Sequence, residues 1–429
     1  MPRTQAGDPL TERTIRVLDA VLDDFGGRRF AVRDWTGRRH DPPGPAEFEL
    51  ILTGPGSLRA MFFPLNDRTF GEAYVTRAID VEGDLVAAMR VAYTIIETRV
   101  PAAVRARQLR LLLTLPRAGT GRPRELRARR GGRAHSVARD RRVNDFHYSR
   151  SNDFYRLWLD EWMAYTCGYF RTDADSLDAA QVQKFDLVCR KLRLREGDRL
   201  LDVGCGWGGL AIHAARHYGA VVHAVTNSTA QAELAAERVA AAGLAGRCRI
   251  ELTDFRALDD TRRYDHVSSV GLVEHLGPAV WRTYLAKVWR LLEPGGTLLN
   301  HGMTGKAGEP VGSPFLDAYV FPDARLMTIG ATVRAAEDAG FEILDVENLR
   351  RHYARTIRAW RERLDAAEAE AVALVGDRTV RVYRIYFAGL EHAYRRGRIN
   401  LHQTLLQKSP AGRTDLPMSR EDWYAPPQR

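Results

Sequence analysis

The sequence predicts an α/β protein whose main domain is a doubly wound parallel sheet, preceded by a smaller α+β domain. From residue 181 onward, short apolar runs alternate with longer segments of helical periodicity, as in successive βαβ units. Within this region, the apolar run Arg199–Val203 leads into closely spaced glycines and then into a helix-compatible segment. The chain of 429 residues is long enough for two or three domains and a large core.

Local patterns predict the elements of both domains. The first domain, residues 1–115, is predicted to contain helices at 14–22 and 84–97 and strands at 30–35, 48–53 and 58–63. The second is predicted to contain helices at 182–192, 210–218, 230–241, 280–292 and 354–374, and strands at 199–203, 221–225, 249–252, 264–270, 297–301, 341–346 and 399–406. Ligands of such sheets bind at the carboxyl ends of the strands, so we expect Gly204, Asp254, Glu274 and His301 to converge there.

Residues 117–142 are dense in arginine and contain four glycines but almost no large apolar side chains. This composition predicts a linker, at 116–143, between the first domain and a second domain at 144–429. The net charge of +10 and the pI near 9.6 favour an anionic partner, either a nucleic acid or a membrane surface. No aromatic residues for base stacking lie among the arginines, so lipid phosphates are the favoured partner, and a solvated spacer is the alternative.

The glycine-rich turn at 204–209 has three candidate ligands. A dinucleotide would require an acidic residue about 20 residues further on, and the next strand ends in Thr226, Asn227 and Ser228 instead. A phosphate-binding P-loop would require a Gly-Lys-Ser/Thr sequence, which is absent. S-adenosylmethionine (SAM) fits the pattern, because its class I methyltransferases carry an acidic residue, here Asp202, before a Gly-x-Gly-x-Gly turn. A tight turn without a ligand is the remaining alternative.

Composition also argues against several classes of protein. No segment approaches the roughly 20 consecutive apolar residues of a membrane-spanning helix, and the N-terminus lacks the apolar core of a signal peptide, so a cytoplasmic location is expected. The cysteines form no Cys-x-x-Cys pair and have no histidines at zinc-binding spacing; they are Cys167, Cys189, Cys205 and Cys248. Reduced thiols and no metal site are therefore predicted.

Aromatic residues are dense between 147 and 170. Their faces could attract a cationic sulfonium ligand, because aromatic rings attract cations. They could equally form an apolar layer over the edge of the main core. The sequence does not decide between these two interpretations.

Several motifs occur in a fixed order, and they are His147-Tyr148, Asn152-Asp-Phe-Tyr155, 163–170, 201–209, 225–231, 269–277, Tyr319-Val-Phe-Pro322, His352-Tyr353 and Trp360. Together they resemble the cyclopropane-fatty-acyl-phospholipid synthase family, which includes mycolic-acid-modifying members. The resemblance is strong over 144–408, and the first domain is more weakly similar to the family's accessory domain. The chain departs from the family at Thr166, where serine is usual, at Asn227-Ser228, and at Ser149-Arg150, where Arg150 could contact a lipid phosphate.

The resemblance implies a class I methyltransferase that uses SAM to modify a cis double bond of a phospholipid acyl chain. It also implies a bound bicarbonate as the base, held by the side chains of Cys167, Glu274, His301 and Tyr353, with a backbone contribution at Met303. The residues expected to bind SAM are Tyr165, Thr166, Asp202, Gly204, Gly206, Gly208, Thr226, Gln231, Asp254 and Phe255.

We therefore predict a cytoplasmic enzyme, peripheral on the inner face of the membrane, that forms cyclopropane rings in unsaturated phospholipid acyl chains at an anionic surface. The first alternative is a fatty acyl C-methyltransferase that loses a different proton and makes a methylene or methyl-branched chain. A non-catalytic lipid-binding protein is a more distant alternative, and only the net charge supports a nucleic-acid methyltransferase. We expect no nucleic-acid partner, and a homodimer is a candidate oligomeric state.

Overall fold

The computed structural model describes residues 8–117, 119, 121, 123–127, 131–148, 151–308, 312–409, 412, 414 and 416–424. The chain divides into two compact units. The first comprises residues 1–128, 313–320 and 375–392, and the second comprises 129–312, 321–374 and 393–429. This division differs from the one predicted, because two short segments from beyond residue 300 belong to the first unit.

The first unit contains a four-stranded sheet and the helices of the first 128 residues. Its elements are α1 (Pro9–Leu22), β1 (Ala31–Arg33), β2 (Arg39–His40), β3 (Phe48–Leu52), α2 (Ser57–Phe62), α3 (Asp67–Val75), β4 (Ile79–Gly83), α4 (Leu85–Glu97) and α5 (Ala102–Leu113). The strand order is β2-β1-β3-β4, in which β1 and β3 are parallel and the other pairs are antiparallel.

The second unit is built on a seven-stranded sheet. Its strands are β5 (Arg199–Val203), β6 (Val221–Thr226), β7 (Cys248–Leu252), β8 (Tyr264–Val270), β9 (Leu292–Gly305), β10 (Glu342–Asn348) and β11 (Ile399–Gln407). Their order is β10-β11-β9-β8-β5-β6-β7, with β11 antiparallel to both neighbours and the remaining pairs parallel. The chain reverses its direction across the sheet at β5, which places the crevice of a doubly wound fold beside that strand.

Helices connect these strands. They are α6 (Val137–Tyr148), α7 (Asn152–Arg156), α8 (Leu177–Leu192), α9 (Gly209–His217), α10 (Thr229–Ala241), α11 (Val273–Leu291), α12 (Pro314–Tyr319), α13 (Ile329–Asp338), α14 (Arg350–Ala366), α15 (Glu368–Val375), α16 (Asp377–Arg395) and α17 (Glu421–Tyr424). Helix α12 and most of α16 belong to the first unit. None of the described helices combines the length and apolar character that crossing a bilayer requires.

The predicted α/β fold of the second domain is confirmed, and each of its seven predicted strands is observed, two of them with the predicted bounds, β5 and β8. Helix α11 begins earlier than predicted and bends at Gly277, where φ is 64°, directly before Pro278. The single helix predicted at 354–374 is two helices, α14 and α15, and α16 was not predicted.

The strand predicted at 58–63 is wrong, because these residues form helix α2. Leu58, Met61 and Phe62 are buried, and their spacing of three and four residues marks one face of a helix. A short apolar run is compatible with either element, and here the helical face is the one that finds a core to pack against.

Alternate residues of the central strands face two different apolar cores. Leu200, Leu299 and Leu405 belong to one cluster, and Leu201, Leu298 and Leu406 belong to the other. Burial of each such leucine contributes on the order of 1.5–3 kcal/mol, and a shift of one residue would exchange the two sets. This register holds the carboxyl ends of the strands, and the turns that follow them, in a defined position.

The Arg-rich segment predicted as a linker is folded where the structure describes it. In the first unit, Arg127 donates to the Tyr319 hydroxyl at 3.1 Å and to the Glu72 carboxylate at 2.6 Å. In the second unit, Arg139 donates two hydrogen bonds of 2.8 Å to the Asp323 carboxylate. The division between the two units falls within 116–143, as predicted for a linker, but the segment is not an unstructured spacer, because these arginines find partners far away in the sequence.

Candidate active site

The glycine-rich turn joins β5 to α9 at the carboxyl edge of the sheet. Gly204, Gly206 and Gly208 have φ angles of 80°, 55° and 83°, which residues with a Cβ rarely adopt. The N–H groups of Gly204 and Cys205 donate to the Val225 carbonyl at 2.9 and 3.1 Å, and this ties the turn to the end of β6. The turn therefore presents backbone rather than side chains to the space in front of α9.

Gly206 and Gly208 have different surroundings. A Cβ built on Gly206 meets nothing within 4 Å, so this residue faces open space. A Cβ built on Gly208 would lie 3.2 Å from the Cβ of Ala235 in α10. Gly208 thus allows close packing between helices and is not among the described residues that line the cavity.

A solvent-open cavity lies in front of the turn, and residues at the carboxyl ends of β5, β6 and β8 line it. Of the residues predicted to bind SAM, those in its wall are Tyr165, Thr166, Asp202, Gly204, Gly206, Thr226, Gln231, Asp254 and Phe255. Wall residues that were not predicted include Asp140, Asn144, Lys184, Arg256, His275 and Asp323.

Asp202 is buried at the end of β5, next to the turn. Burial raises the pKa of its carboxyl to about 6, and the Ser268 hydroxyl and the Lys184 charge limit that rise. Ser268 donates to Oδ1 at 2.7 Å, whereas Oδ2 has no hydrogen-bond partner among the described residues. With a pKa of about 6, Asp202 is largely ionised at neutral pH and keeps one acceptor for a ligand.

Polar pairs hold the side chains at the ends of β6 and β7. Thr226 donates to the side-chain oxygen of Gln231 at 2.9 Å. Arg256 donates to both carboxylate oxygens of Asp254 at 2.7 Å, and its Nη2 also donates to Asp140 at 2.8 Å. The Arg256 guanidinium therefore connects the end of the cavity at Asp254 to helix α6.

Helix α6 contributes Asp140, Val143 and Asn144 to the cavity wall. The side-chain amide of Asn144 donates to Asn227 at 2.6 Å. Asn227 is one of the positions at which the chain departs from the family pattern. Of the motif residues at 147–150, the structure describes only the backbone of 147 and 148, so the expected contact of Arg150 with lipid lies outside the described residues.

The aromatic residues predicted at 147–170 take both of the expected positions. Phe154, Tyr155 and Trp158 are fully buried and form an apolar layer. Tyr165 lines the cavity, and its ring centroid lies 5.0 Å from that of Trp158 and 5.2 Å from that of Trp360. The layer therefore fixes the position of a ring that can face a ligand cation.

The residues predicted to hold bicarbonate lie behind the cavity wall. None of the four is among the described residues that line the cavity, and they are Cys167, Glu274, His301 and Tyr353. Cys167 directly follows Thr166 of the wall, and Glu274 directly precedes His275 of the wall. A reaction that involves both groups of residues would have to take place at this boundary.

Glu274 is buried in the first turn of α11. Burial raises the pKa of its carboxyl to about 7, against hydrogen bonds from its own N–H and from the N–H of Met303. The Oε2 atom has no hydrogen-bond partner in the described part of the chain, and it would lie 3.3 Å from a Cβ built on Gly302.

His301 is fully buried in β9, next to Gly302. The side-chain nitrogen of Gln403 lies 3.1 Å from His301 Nδ1. With the Gln403 amide in this orientation, its nitrogen donates to Nδ1, and this assigns the ring proton to Nε2. Burial keeps the pKa of His301 well below its usual range, so the ring is neutral, and Nε2 has no partner among the described residues.

Cys167 and Tyr353 meet at the carbonyl of Leu349. The thiol of Cys167 lies 3.9 Å from this oxygen, which also accepts the Tyr353 N–H at 3.1 Å. The Leu349 N–H in turn donates to Leu401, the residue paired with Met303 in the sheet. Burial raises the pKa of the Cys167 thiol, so it is protonated and is not the base of a reaction at neutral pH.

A family model described as Mycolic acid cyclopropane synthetase matches residues 135–404, well over half of the chain. The chain belongs to this family. It is a SAM-dependent methyltransferase with the Rossmann-like fold of class I, and the family's reaction is a modification of lipids.

The names of the proteins similar to this chain imply different products. A Pseudomonas putida protein named "Probable fatty acid methyltransferase" is 39% identical over 91% of this chain and 95% of that protein. The Escherichia coli K12 cyclopropane-fatty-acyl-phospholipid synthase is 36% identical over 62% of this chain and 68% of that protein. The structure of mycolic acid cyclopropane synthase CmaA1 with SAH and CTAB has a TM-score of 0.60 and 32% identity, covering 62% of this chain and 98% of that chain.

Several wall residues were missed because their partners are distant in sequence. Lys184 had a local signal, since it falls at helical spacing with the buried residues Gln181 and Val188 of α8. Val182, the residue at which the predicted helix begins, is only half-buried. A charged residue in phase with an apolar face is a signal that sequence analysis can use.

Proposed function

We propose that this chain forms a cyclopropane ring at a cis double bond of an unsaturated phospholipid acyl chain, with SAM as the methylene donor and bicarbonate as the base. The observation that carries the proposal is that two of the residues expected to hold bicarbonate each have a buried polar atom without a partner among the described residues, Glu274 Oε2 and His301 Nε2. Orphaned buried polar atoms are costly, and a ligand that satisfies both removes the cost.

The chemistry requires few protein groups. The π bond of an alkene is a weak nucleophile, and the methyl group of a sulfonium is a strong electrophile. Methyl transfer leaves a carbocation, and loss of a proton from the new methyl group closes the three-membered ring. The chain must align the reactants and exclude water, and bound bicarbonate would supply the base.

The residues present fit a bicarbonate ion. The neutral His301 ring offers the Nε2–H as a donor to an anionic oxygen, as derived above from its contact with Gln403. An ionised Glu274 carboxylate offers an acceptor for the O–H of bicarbonate. One donor and one acceptor therefore orient the ion, and the protonated Cys167 thiol does not compete as a base.

A fatty acyl C-methyltransferase is the second candidate. It shares every step up to the carbocation and differs only in which proton is lost, so its product is an alkene rather than a ring. The name of the Pseudomonas putida relative, which aligns over nearly its whole length, favours this candidate.

The deciding experiment is proton NMR of lipids from a heterologous host that expresses the chain. Both products gain one CH₂ unit, so mass alone shows that methylene transfer has occurred and does not separate them. Cyclopropane methylene protons resonate far upfield of olefinic protons. Ring signals support the proposal, and olefinic signals of a new branch without ring signals would establish the C-methyltransferase.

We also propose that the enzyme is a cytoplasmic protein that acts at the inner face of an anionic membrane, through helix α5 of the first unit. Leu109 and Leu113, four residues apart on one face, are 42% and 46% exposed. Gln108 and Leu112 are buried on a neighbouring face, and Arg110 is exposed beside the leucines. An apolar stripe flanked by arginine is what a helix at a lipid surface presents to anionic headgroups.

A further inference from the structure

Lys184 is a buried charge in the cavity wall that the proposed reaction does not use. Only 2% of its surface is exposed. Its ammonium donates to the Thr166 hydroxyl at 3.0 Å and lies 4.1 Å from the centroid of the Phe185 ring. No carboxylate of the described chain lies within ion-pair distance of it. Buried lysines are rare without an ionic partner, so the position calls for an explanation.

Lys191 shows the contrast on the same helix. It lies two turns further along α8, is equally buried, and forms ion pairs with Asp345 and Glu347. Lys191 therefore has the partners expected of a structural buried lysine. Lys184 instead faces a cavity with its charge uncompensated by direct contact.

The nearest acidic residues are engaged elsewhere. Asp160 and Asp202 keep the Lys184 charge favourable against burial, which lowers the pKa of Lys184 to about 8. Asp160 accepts the N–H groups of Trp162 and Ala164 at 2.9 and 2.8 Å, and Asp202 accepts from Ser268. Lys184 is thus mainly protonated at neutral pH. Its ammonium is hydrogen-bonded to Thr166 of the cavity wall, so its positive charge acts on the cavity side.

The contact with Lys184 sets what the Thr166 hydroxyl can do. An ammonium has no acceptor, so Thr166 must accept this hydrogen bond and has its own proton left to donate. The threonine is held in place, because its carbonyl accepts from Gln181 at 2.8 Å and its methyl group would lie 2.9 Å from a Cβ on Gly271. A cavity ligand therefore meets a hydroxyl donor with a positive charge directly behind it.

We infer that Lys184 and Thr166 form the subsite for the carboxylate of the methionine end of SAM. The hydroxyl of Thr166 donates to the carboxylate, and Lys184 is a positioning residue that orients this hydroxyl and supplies the balancing charge. The sulfonium and the ammonium of SAM are repelled by Lys184, whereas Oδ2 of Asp202 is an acceptor suited to the ammonium. The inference rests on the assignment of this cavity to SAM.

The test compares SAM with decarboxylated SAM, which keeps the sulfonium and the amine but lacks the carboxylate. Calorimetry would measure both ligands with the unmodified chain, Lys184→Met, Thr166→Val and Thr166→Ser. We expect Lys184→Met and Thr166→Val to bind SAM at least about tenfold more weakly and to bind decarboxylated SAM no more weakly than the unmodified chain does. Thr166→Ser should retain the preference for SAM.

Lys191→Met is the matched control, because it removes an equally buried lysine from the same helix. It should lower thermal stability and leave both affinities unchanged. Equal losses for both ligands in Lys184→Met, or no loss for SAM, would overturn the inference. If Lys184→Met does not fold, the contrast between Thr166→Val and Thr166→Ser decides.

Gly206→Val separates failure of this inference from failure of the cavity assignment. Unchanged SAM affinity in Gly206→Val would show that SAM binds elsewhere, and the carboxylate subsite would fail with it. Loss of SAM binding in Gly206→Val, together with equal losses for both ligands in Lys184→Met, would overturn the role of Lys184 alone.

Discussion

At the scale of single residues, burial sets the charge states around the site. The pKa of Glu274 rises to about 7 and that of Asp202 to about 6, because a carboxylate loses hydration when it is buried. Burial lowers the pKa of His275, in the cavity wall, to about 4. Glu274 therefore titrates near neutral pH, where activity can respond to it, while His275 stays neutral.

The first prediction concerns the pH dependence of turnover. If the ionised Glu274 carboxylate accepts from bicarbonate, activity should rise with pH along a limb with an apparent pKa of about 7. Glu274→Gln should lower turnover by about 10²-fold or more and should lack this limb, while SAM affinity stays within about twofold. Initial rates between pH 6 and 9, at constant bicarbonate concentration, would measure this. The same limb in Glu274→Gln would contradict it.

Stability should respond to Glu274 with the opposite sign. Its pKa is raised on folding, from 4.5 to about 7, so the folded chain holds the proton more tightly than the unfolded chain. This contribution to stability is present below pH 4.5 and is lost as the pH rises through 7. Glu274→Gln should therefore lose less stability than the unmodified chain between pH 5 and 8, as measured by urea unfolding at several pH values.

The second residue-scale prediction concerns the glycine turn. Valine at Gly206, where φ is 55°, would project a branched side chain into the open space in front of the turn. SAM binding should be lost, as measured by calorimetry. Gly197→Val is the matched control, because Gly197 also has a positive φ, 86°, and open space at its Cβ but lies outside the cavity wall. Both variants should pay about 1–2 kcal/mol of backbone strain, and only Gly206→Val should lose the ligand.

At the scale of elements, α6 is held beside the cavity by contacts from its own polar side chains. Arg139 and Asp323 form a two-pronged ion pair whose side chains are 13% and 16% exposed. Asp140 accepts from Arg256, and burial is the main reason that the pKa of Asp140 is raised. The helix has little apolar surface to bury, so these pairs, rather than hydrophobic packing, are expected to set its stability.

Loosening α6 should weaken cofactor retention. Arg139→Gln removes the ion pair to Asp323, so we expect SAM to dissociate about three- to tenfold faster and amide hydrogen exchange over 137–148 to increase. Arg142→Gln is the matched control on the same helix, because Arg142 is exposed and its hydrogen bond goes to a carbonyl, that of Gly131. Stopped-flow dissociation would measure both. Equal rates for the two variants would show that the ion pair does not hold the helix.

At the scale of the whole molecule, net charge is a poor guide to which arginines are available for a membrane. Arg127 and Arg139, both in the segment predicted to contact lipid, are committed to internal ion pairs. Arg110 of α5 is exposed, and so are Arg117, Arg124, Arg133, Arg141 and Arg142 of the Arg-rich segment. The proposed membrane contact therefore depends on which arginines are exposed rather than on the net charge.

Binding to lipid vesicles tests this surface. Leu109→Glu/Leu113→Glu should weaken binding to anionic vesicles about tenfold or more while leaving SAM affinity unchanged, since two apolar contacts are replaced by charges that anionic lipid repels. Val221→Glu/Leu374→Glu, at two residues that are 46% and 40% exposed elsewhere, adds the same charge and should bind as the unmodified chain does. Binding of the unmodified chain should also weaken with salt.

Sedimentation in the same experiment detects self-association. Equal binding of the unmodified chain to neutral and anionic vesicles, or equal weakening by both double variants, would contradict the membrane proposal. Loss of a dimer in Leu109→Glu/Leu113→Glu, with vesicle binding unchanged, would instead identify this face as an interface between two copies of the chain.

The main sheet and its glycine turn are determined by local sequence. Arg199–Val203 is a strand because a short apolar run ends at glycines that alone tolerate the turn, and the residues after each strand reach the same edge. Residues such as Asp202, Gln231 and Asp254 can thus be assigned to one cavity from the sequence. Local periodicity also predicts the strands of the second unit, because each strand buries one or both of its faces in the two apolar cores.

Only the tertiary structure decides which polar residues are buried and with what partners. Lys184 and Lys191 lie on the same face of one helix. Lys191 has two carboxylates from β10 beside it, whereas Lys184 has none among the described residues. The folding of the Arg-rich segment and the inclusion of 313–320 in the first unit likewise depend on contacts such as those of Tyr319 with Glu72 and Arg127. Local sequence determines periodicity and turns because these act between neighbours, whereas the cost of burying a charge depends on partners that are brought near only by folding.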